Sequence, residues 1–253
     1  MSFPYDLFPE AQQRYRKFER LFQAQNTLGD AVNTILDKHT DKLKVREGEE
    51  RDLSLVVAAG LGKAIKTFQA ITRLCLMGYG EDTLILLRSN INLLINIAYI
   101  VADRQPTERV KDFLAFSYQK RVKYLKVAHG VDQPPWGPPV PPDEVAQRAK
   151  AWNGVKIKDR AKALSELHYK QGYQFYSSLE HSDAWALSEY IQDWNEIGPR
   201  IGSEEGDKYV DIALIHSYGV LADLLFVVCR YFGIDEPDLF ADLKNMWVKL
   251  GKE

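Results

Sequence analysis

The sequence predicts an all-α fold: an antiparallel helical bundle with a Pro-rich connector. Three observations carry this. Apolar residues recur at three-to-four spacing along most of the 253 residues. No stretch of useful length alternates as a half-buried strand does. Glycine and proline stand where the periodic runs stop and start. No repeat of fixed period occurs. Short links between runs imply antiparallel neighbours. Residues 1–253 are expected to form a single helical domain, because neither half has a strand or motif core of its own.

Each element follows in order. Pro9 and Glu10 mark a first helical turn, and Phe18, Leu21, Phe22, Leu28, Val32, Ile35 and Leu36 predict one amphipathic helix running to about His39. Residues 41–50 are a charged connector. Leu53, Val57, Leu61, Ala64, Phe68, Ile71 and Cys75 form the stripe of a second helix, stopped at Gly78-Tyr79-Gly80. Glu81 and Asp82 open a third, where acidic groups favour the N-terminal dipole; it runs to about Asp103. Thr107 is placed to cap a fourth, with Val110, Phe113, Leu114, Tyr124 and Leu125 on its inner side. Residues 130–142 hold six of the eleven prolines, so they are read as an extended surface strap. Helix resumes over 143–152, 158–168 and 172–181. Residues 182–208 give no clear pattern. A long apolar helix spans 209–232, and Pro237 starts a last one to about Leu250.

Composition bounds the function. A net charge of −2 gives no global attraction to nucleic acid or an anionic membrane. Residues 83–101 and 210–232 are apolar enough to suggest membrane spans. The first contains Arg88, Asn90, Asn92 and Asn96, and the second Asp211, His216, Asp223 and Arg230. Such groups are costly at a bilayer centre, so buried helices are expected and no membrane insertion. Met1-Ser2-Phe3-Pro4-Tyr5-Asp6 lacks the pattern of a signal peptide. Cys75 and Cys229, both in apolar runs, read as free buried thiols, which suits a reducing, cytoplasmic location.

Several chemistries are absent from the sequence. It has no Gly-rich phosphate loop, no His-Glu-x-x-His, no Cys-x-x-Cys and no Glu-x-x-His. No metal and no cofactor are therefore expected. Helical ribonucleases of the HEPN type carry Arg, four to six residues, then His. Arg121 to His129 and Arg160 to His168 are both too widely spaced for that rule.

Two polar stripes remain. Arg88, Asn92 and Asn96 are spaced by four among aliphatic residues, and Tyr99 and Asp103 roughly extend their face. A guanidinium in such a setting needs a carboxylate, carbonyls or a bound anion. Either an internal hydrogen-bond network fixes helix register here, or Arg88 is the anion contact of a pocket. The second stripe is Tyr173, Ser177 and His181, flanked by Ser178 and Ser182. His181 titrates near neutrality and could activate Ser177, so these two are the catalytic candidates. No nucleophile elbow is visible, and a structural histidine near a helix end is the competing reading.

The segment Leu87-Arg88-Ser89-Asn90-Ile91-Asn92 resembles the R-S-aliphatic-x-E core of a bacterial all-helical family, domain of unknown function 5677. So do Trp152, Lys156, Ile157 and the run Tyr173-x-x-x-Ser177-x-x-x-His181-Ser182. The resemblance covers roughly residues 55–230. It departs at Asn92, where the family's glutamate is expected; a catalytic or metal role of that glutamate would be impaired here. The resemblance implies an all-helical fold and supplies no reaction. A wider likeness to HEPN-type proteins implies defence or RNA-related roles by analogy.

Charge is unevenly spread. Residues 117–170 hold eleven Lys or Arg against five Asp or Glu, a balance of +6, so the rest carries −8. Lys120, Arg121, Lys123 and Lys126 form one group, and Lys156, Lys158, Arg160 and Lys162 another. Both read as solvated surface, or as a patch for RNA, phosphate or an acidic partner. The expected function is a helical binding or regulatory module. Its polar pocket lies between the third helix and residues 173–181, and Arg88, Asn92, Tyr173, Ser177 and His181 hold a small anionic ligand. The alternative is a HEPN-like hydrolase or ribonuclease linked to bacterial defence, using His181. A homo-oligomer built on the charge asymmetry is a third reading.

Overall fold

The two most apolar runs of the sequence lie at the centre of a helical bundle. The computed structural model describes residues 9–130, 137–164, 173, 177, 191–195, 198–201 and 206–251. Within them the helices are α1 (Pro9–Lys17), α2 (Glu19–Lys38), α3 (Arg51–Met77), α4 (Gly80–Val101), α5 (Pro106–His129), α6 (Pro142–Gly154), α7 (Ile157–Arg160), α8 (Val210–Phe232) and α9 (Pro237–Leu250). Single 3-10 turns occupy Gly48–Glu50 and Ala161–Ala163, and two short strands are β1 (Ile191–Asn195) and β2 (Gly198–Ile201).

Helices α3, α4 and α8 pack against one another. Leu61, Phe68 and Ile71 of α3 meet Leu84, Leu87, Ile91 and Leu94 of α4 and Leu214, Leu221, Leu224 and Val228 of α8 in one contiguous core. Helix α2 lies on α8, and α9 closes against both. Helix α5 leans on α3 and α4, α6 packs along α5, and the 157–163 segment crosses α4. Ala115, Val140 and Ala149 form a small separate cluster where α5 and α6 meet.

Helices α4 and α8 have the length and composition to cross a membrane, yet 50% and 61% of their apolar windows are buried inside the bundle. Buried polar groups in and around these helices bond to backbone carbonyls inside the bundle. Asn90 is fully buried and donates from Nδ2 to Ala64 O at 3.2 Å. Gln25 donates to Leu214 O at 2.9 Å, and Ser217 to the same carbonyl at 3.0 Å. Each bond satisfies a group that would otherwise be expensive to bury. Cys75 and Cys229 are free and buried, and burial raises both thiols to about 12.

Gly78 ends α3 with φ 90, a left-handed conformation that glycine adopts without a Cβ penalty. The link to α4 is so short that the two helices run antiparallel. Arg14 of α1 seals this corner. It donates from Nη1 to Leu76 O at 2.8 Å and from Nε to Asp207 at 2.8 Å, while Lys17 reaches Asp207 at 2.6 Å. Gly206 N donates to Gly78 O at 2.9 Å. The end of α3, the start of α8 and α1 are thus held at one point. Tyr209, which precedes α8, has φ 61, a left-handed conformation unusual for a bulky residue.

Several local expectations change. The first helix is two, because Phe18 leaves helical geometry with φ −114 and ψ 25. No glycine or proline marks the break; it falls where α1 turns onto α3. Thr107 is not a cap: Pro106 occupies the first turn of α5, and Gln105 precedes it without a side-chain cap bond. Tyr124, expected inside, is 56% exposed, because the C-terminal half of α5 extends beyond its neighbours. Helix α7 stops at Arg160, and Leu164 is already extended. Strands β1 and β2 form an antiparallel ribbon in a stretch with no legible pattern, pairing Ile191 with Ile201 and Asn195 with Gly198. A register irregularity between Ile191 and Asp193, and a proline at 199, erase the alternation that would have announced it.

Candidate functional site

The site is built on one face of α4. Arg88, Asn92 and Asn96 follow one another at single-turn intervals, as the four-residue spacing requires. Arg88 and Asn96 are half-buried, and Asn92 is exposed, so solvent reaches the middle of the row. Asn96 Nδ2 donates to Asn92 Oδ1 at 3.2 Å.

At the N-terminal end of the row, Arg88 meets Tyr173. Nη2 donates to the phenolic oxygen at 3.1 Å, and the guanidinium lies 4.7 Å from the ring centroid. Two polar rows 85 residues apart in sequence therefore touch through these members. Tyr173 and Ser177 are both half-buried. His181 lies outside the described residues, as do Ser178 and Ser182.

At the other end stands a residue that sequence reasoning placed on the surface. Arg160 is only 9% exposed. Its Nη1 donates to Asn96 Oδ1 at 3.0 Å and its Nη2 to Trp152 O at 2.6 Å. The guanidinium stacks 4.0 Å from a Trp152 ring centroid. Trp152, 1% exposed, is itself fixed edge-on by Tyr99 at 5.8 Å and Phe113 at 5.0 Å. Burial lowers the Arg160 pKa, and the Arg109 charge acts in the same direction; the phenols of Tyr99 and Tyr173 oppose them. Among the described residues no carboxylate pairs with Arg160, and its buried Nε–H meets no acceptor.

Arg160 was hidden by its neighbours. Lys156, Lys158 and Lys162 are exposed, so three of the four cations in that group behave as surface. The signal was Ile157, three residues earlier on a helical turn and half-buried, which puts Arg160 on the inward side. Arg148 is also removed from the basic surface, bound to Glu144 at 2.7 Å, Glu108 at 2.9 Å and Asp112 at 3.3 Å. Lys120, Arg121, Lys123 and Lys126 are exposed beside Tyr124 at the end of α5, with Lys120 over the Phe116 ring at 4.6 Å and Arg121 over the Tyr124 ring at 5.7 Å.

Several clefts lined by described residues lie elsewhere. One of about 140 Å³ lies between α2 and α3, bordered by Gln25, Asn33, Gln69 and Arg73. Another of about 380 Å³ runs between α8 and α9 past Phe226, Phe240 and Trp247. A third of about 600 Å³ joins the ends of α4 and α8 at Val101, Leu164 and Arg230. Neither Arg88, Asn92, Tyr173 nor Ser177 is in the wall of any of them.

No curated protein and no solved structure matches this chain. A family model does, over residues 54–198, a stretch that runs from α3 through β1 and contains Arg88, Trp152, Arg160 and Tyr173. That match spans more than half of the chain, which belongs to the family of unknown function DUF5677.

Proposed function

We propose that this protein is a helical binding or regulatory module that holds an anionic group on the α4 face between Arg88 and the 173–177 segment. The observation that carries this is the Arg88–Tyr173 contact, a 3.1 Å hydrogen bond with the ring stacked at 4.7 Å. Stacking fixes the plane of the guanidinium, and a fixed fork matches carboxylate or phosphate oxygens with little ordering cost. Asn92, one turn away and exposed, offers an amide beside it. Ser177 and His181 supply a hydroxyl and an imidazole at further four-residue steps. The two buried free thiols favour a reducing, cytoplasmic setting.

The reading is tested by titrating the protein calorimetrically with small carboxylates and inorganic phosphate. Arg88→Gln is expected to weaken binding about tenfold or more, the scale of one charge-assisted hydrogen bond. Binding that is unchanged in Arg88→Gln removes the reading.

The second reading is a HEPN-like ribonuclease or hydrolase with His181 as general acid or base. It is favoured by the exposed basic end of α5, where Lys120, Lys123 and Lys126 surround Tyr124. Under it, the wild type cleaves RNA or an ester substrate, and His181→Ala abolishes turnover with the helical circular dichroism intact. Absence of any wild-type turnover sinks this second reading alone.

A further inference from the structure

Helices α2 and α3 both pack on α8, and between them they leave the cavity of about 140 Å³, with Leu221 of α8 in its wall. Its other lining residues come at helical spacing from both sides. Asn26, Asp30 and Asn33 belong to α2, and Ile65, Gln69 and Arg73 to α3. The cavity is graded from floor to mouth. Val32, Phe68 and Leu221 are buried. Asn26 and Gln69 are half-buried, and Asp30, Asn33 and Arg73 are exposed. Apolar surface therefore lies at the bottom, amides above it, and one charge of each sign at the rim.

The polar groups of this wall are uncommitted. Among the described residues, the side chains of Asn26, Asp30, Asn33, Gln69 and Arg73 enter no hydrogen bond or ion pair, so Asp30 and Arg73 do not bridge each other. Gln25 and Thr72, which also border the cavity, are already bonded to Leu214 O and Phe68 O. Gly29 keeps the gap open. It stands in the interior of α2, where glycine is less stable than alanine, and a Cβ there would meet no atom within 4 Å. The space its missing side chain would take is part of the cavity.

We propose that this cavity binds a small aliphatic α-amino acid. Arg73 meets its carboxylate, Asp30 its ammonium, and Val32, Phe68 and Leu221 its side chain. Opposite charges at one mouth, with free amides beside them, suit a molecule that carries both charges in one head. The apolar floor suits a hydrocarbon tail. A cavity of about 150 Å³ accepts a benzene-sized group, which limits that tail to a few carbons. The site is separate from the α4 face and does not depend on the Arg88 reading.

The full-length protein is titrated calorimetrically with three ligands: L-valine, isovalerate, which lacks the ammonium, and isobutylamine, which lacks the carboxylate. Valine is expected to bind at least about fivefold more tightly than either, the upper scale of a solvent-exposed charge contact. Asp30→Asn is expected to remove its advantage over isovalerate, and Arg73→Gln its advantage over isobutylamine. Gly29→Leu fills the cavity from α2 and is expected to abolish valine binding with the helical circular dichroism intact. Both rim residues are exposed and without partners, so their variants keep the fold and decide the matter if Gly29→Leu unfolds. Equal affinities for the three ligands, or no binding of valine, overturns the proposal. Valine affinity unchanged in a folded Gly29→Leu, or in both rim variants, overturns it as well. So does valine affinity that falls in Arg88→Gln and not in Arg73→Gln, which would move the binding to α4.

Discussion

Arg14 illustrates what a buried cation requires of its surroundings. It has a carbonyl, a carboxylate and a neighbouring lysine that shares that carboxylate. The hydrogen bond from Lys17 holds the Asp207 carboxyl below its ordinary range, with Arg14 adding to it against the effect of burial. A depressed folded-state pKa means stability present above the unfolded value, about 3.9, and lost as pH falls through the folded one. Asp207→Asn is therefore expected to lower the melting temperature at pH 7 and to flatten its fall below about pH 4. Asp207 is 37% exposed, so the loss is discounted to about 1 kcal/mol, or roughly 2–4 °C for a chain of this size. A difference that persists undiminished at pH 2 refutes that assignment. Single residues were unevenly legible. Arg88 stood out because a cation on an aliphatic helix face breaks a clear pattern. Arg160 did not, because three exposed lysines surround it and α7 is too short to show a face.

Elements were easier to read than their junctions. The stripe of α3 and the apolar length of α8 specify helices whatever packs on them. The break at Phe18 falls where α1 meets α3, a contact with no local trace, and the β1–β2 ribbon loses its alternation to a register irregularity and Pro199. Glycines test the element scale directly. Gly219 lies where α8 approaches α9, and a Cβ there would sit 2.8 Å from Trp247 Nε1. Gly219→Ala is expected to cost about 1–3 kcal/mol by overpacking, read from urea denaturation midpoints. Gly62, in the interior of α3 and exposed, has open space where a Cβ would stand, with no atom within 4 Å. Gly62→Ala is expected to stabilise by about 0.5–1 kcal/mol in the same assay, since it removes a helix-interior glycine at no steric expense. Equal effects in the two variants would mean that α9 does not sit on α8 as described.

At the scale of the molecule, the fold is a three-helix centre with layers on either side. Leu94 of α4 is fully buried in that centre, and Leu94→Ala is expected to cost about 3 kcal/mol through the cavity it leaves. A loss below about 1 kcal/mol in chemical denaturation would place Leu94 outside the core. The all-α class was legible because apolar periodicity is dense enough to be read without neighbours. The candidate site was half legible: spacing brought out the α4 row and Tyr173, but the bond from Arg160 to Asn96 depends on the packing of the 157–163 segment on α4, which leaves no local pattern. The third central helix, α8, begins at Val210, beyond the matched segment 54–198. A nascent chain emerging from the ribosome thus presents the sticky sides of α3 and α4 for more than a hundred residues before their mate is translated. Ribosome-bound intermediates halted near residue 205 should bind chaperones strongly, and release should coincide with the exit of 210–232.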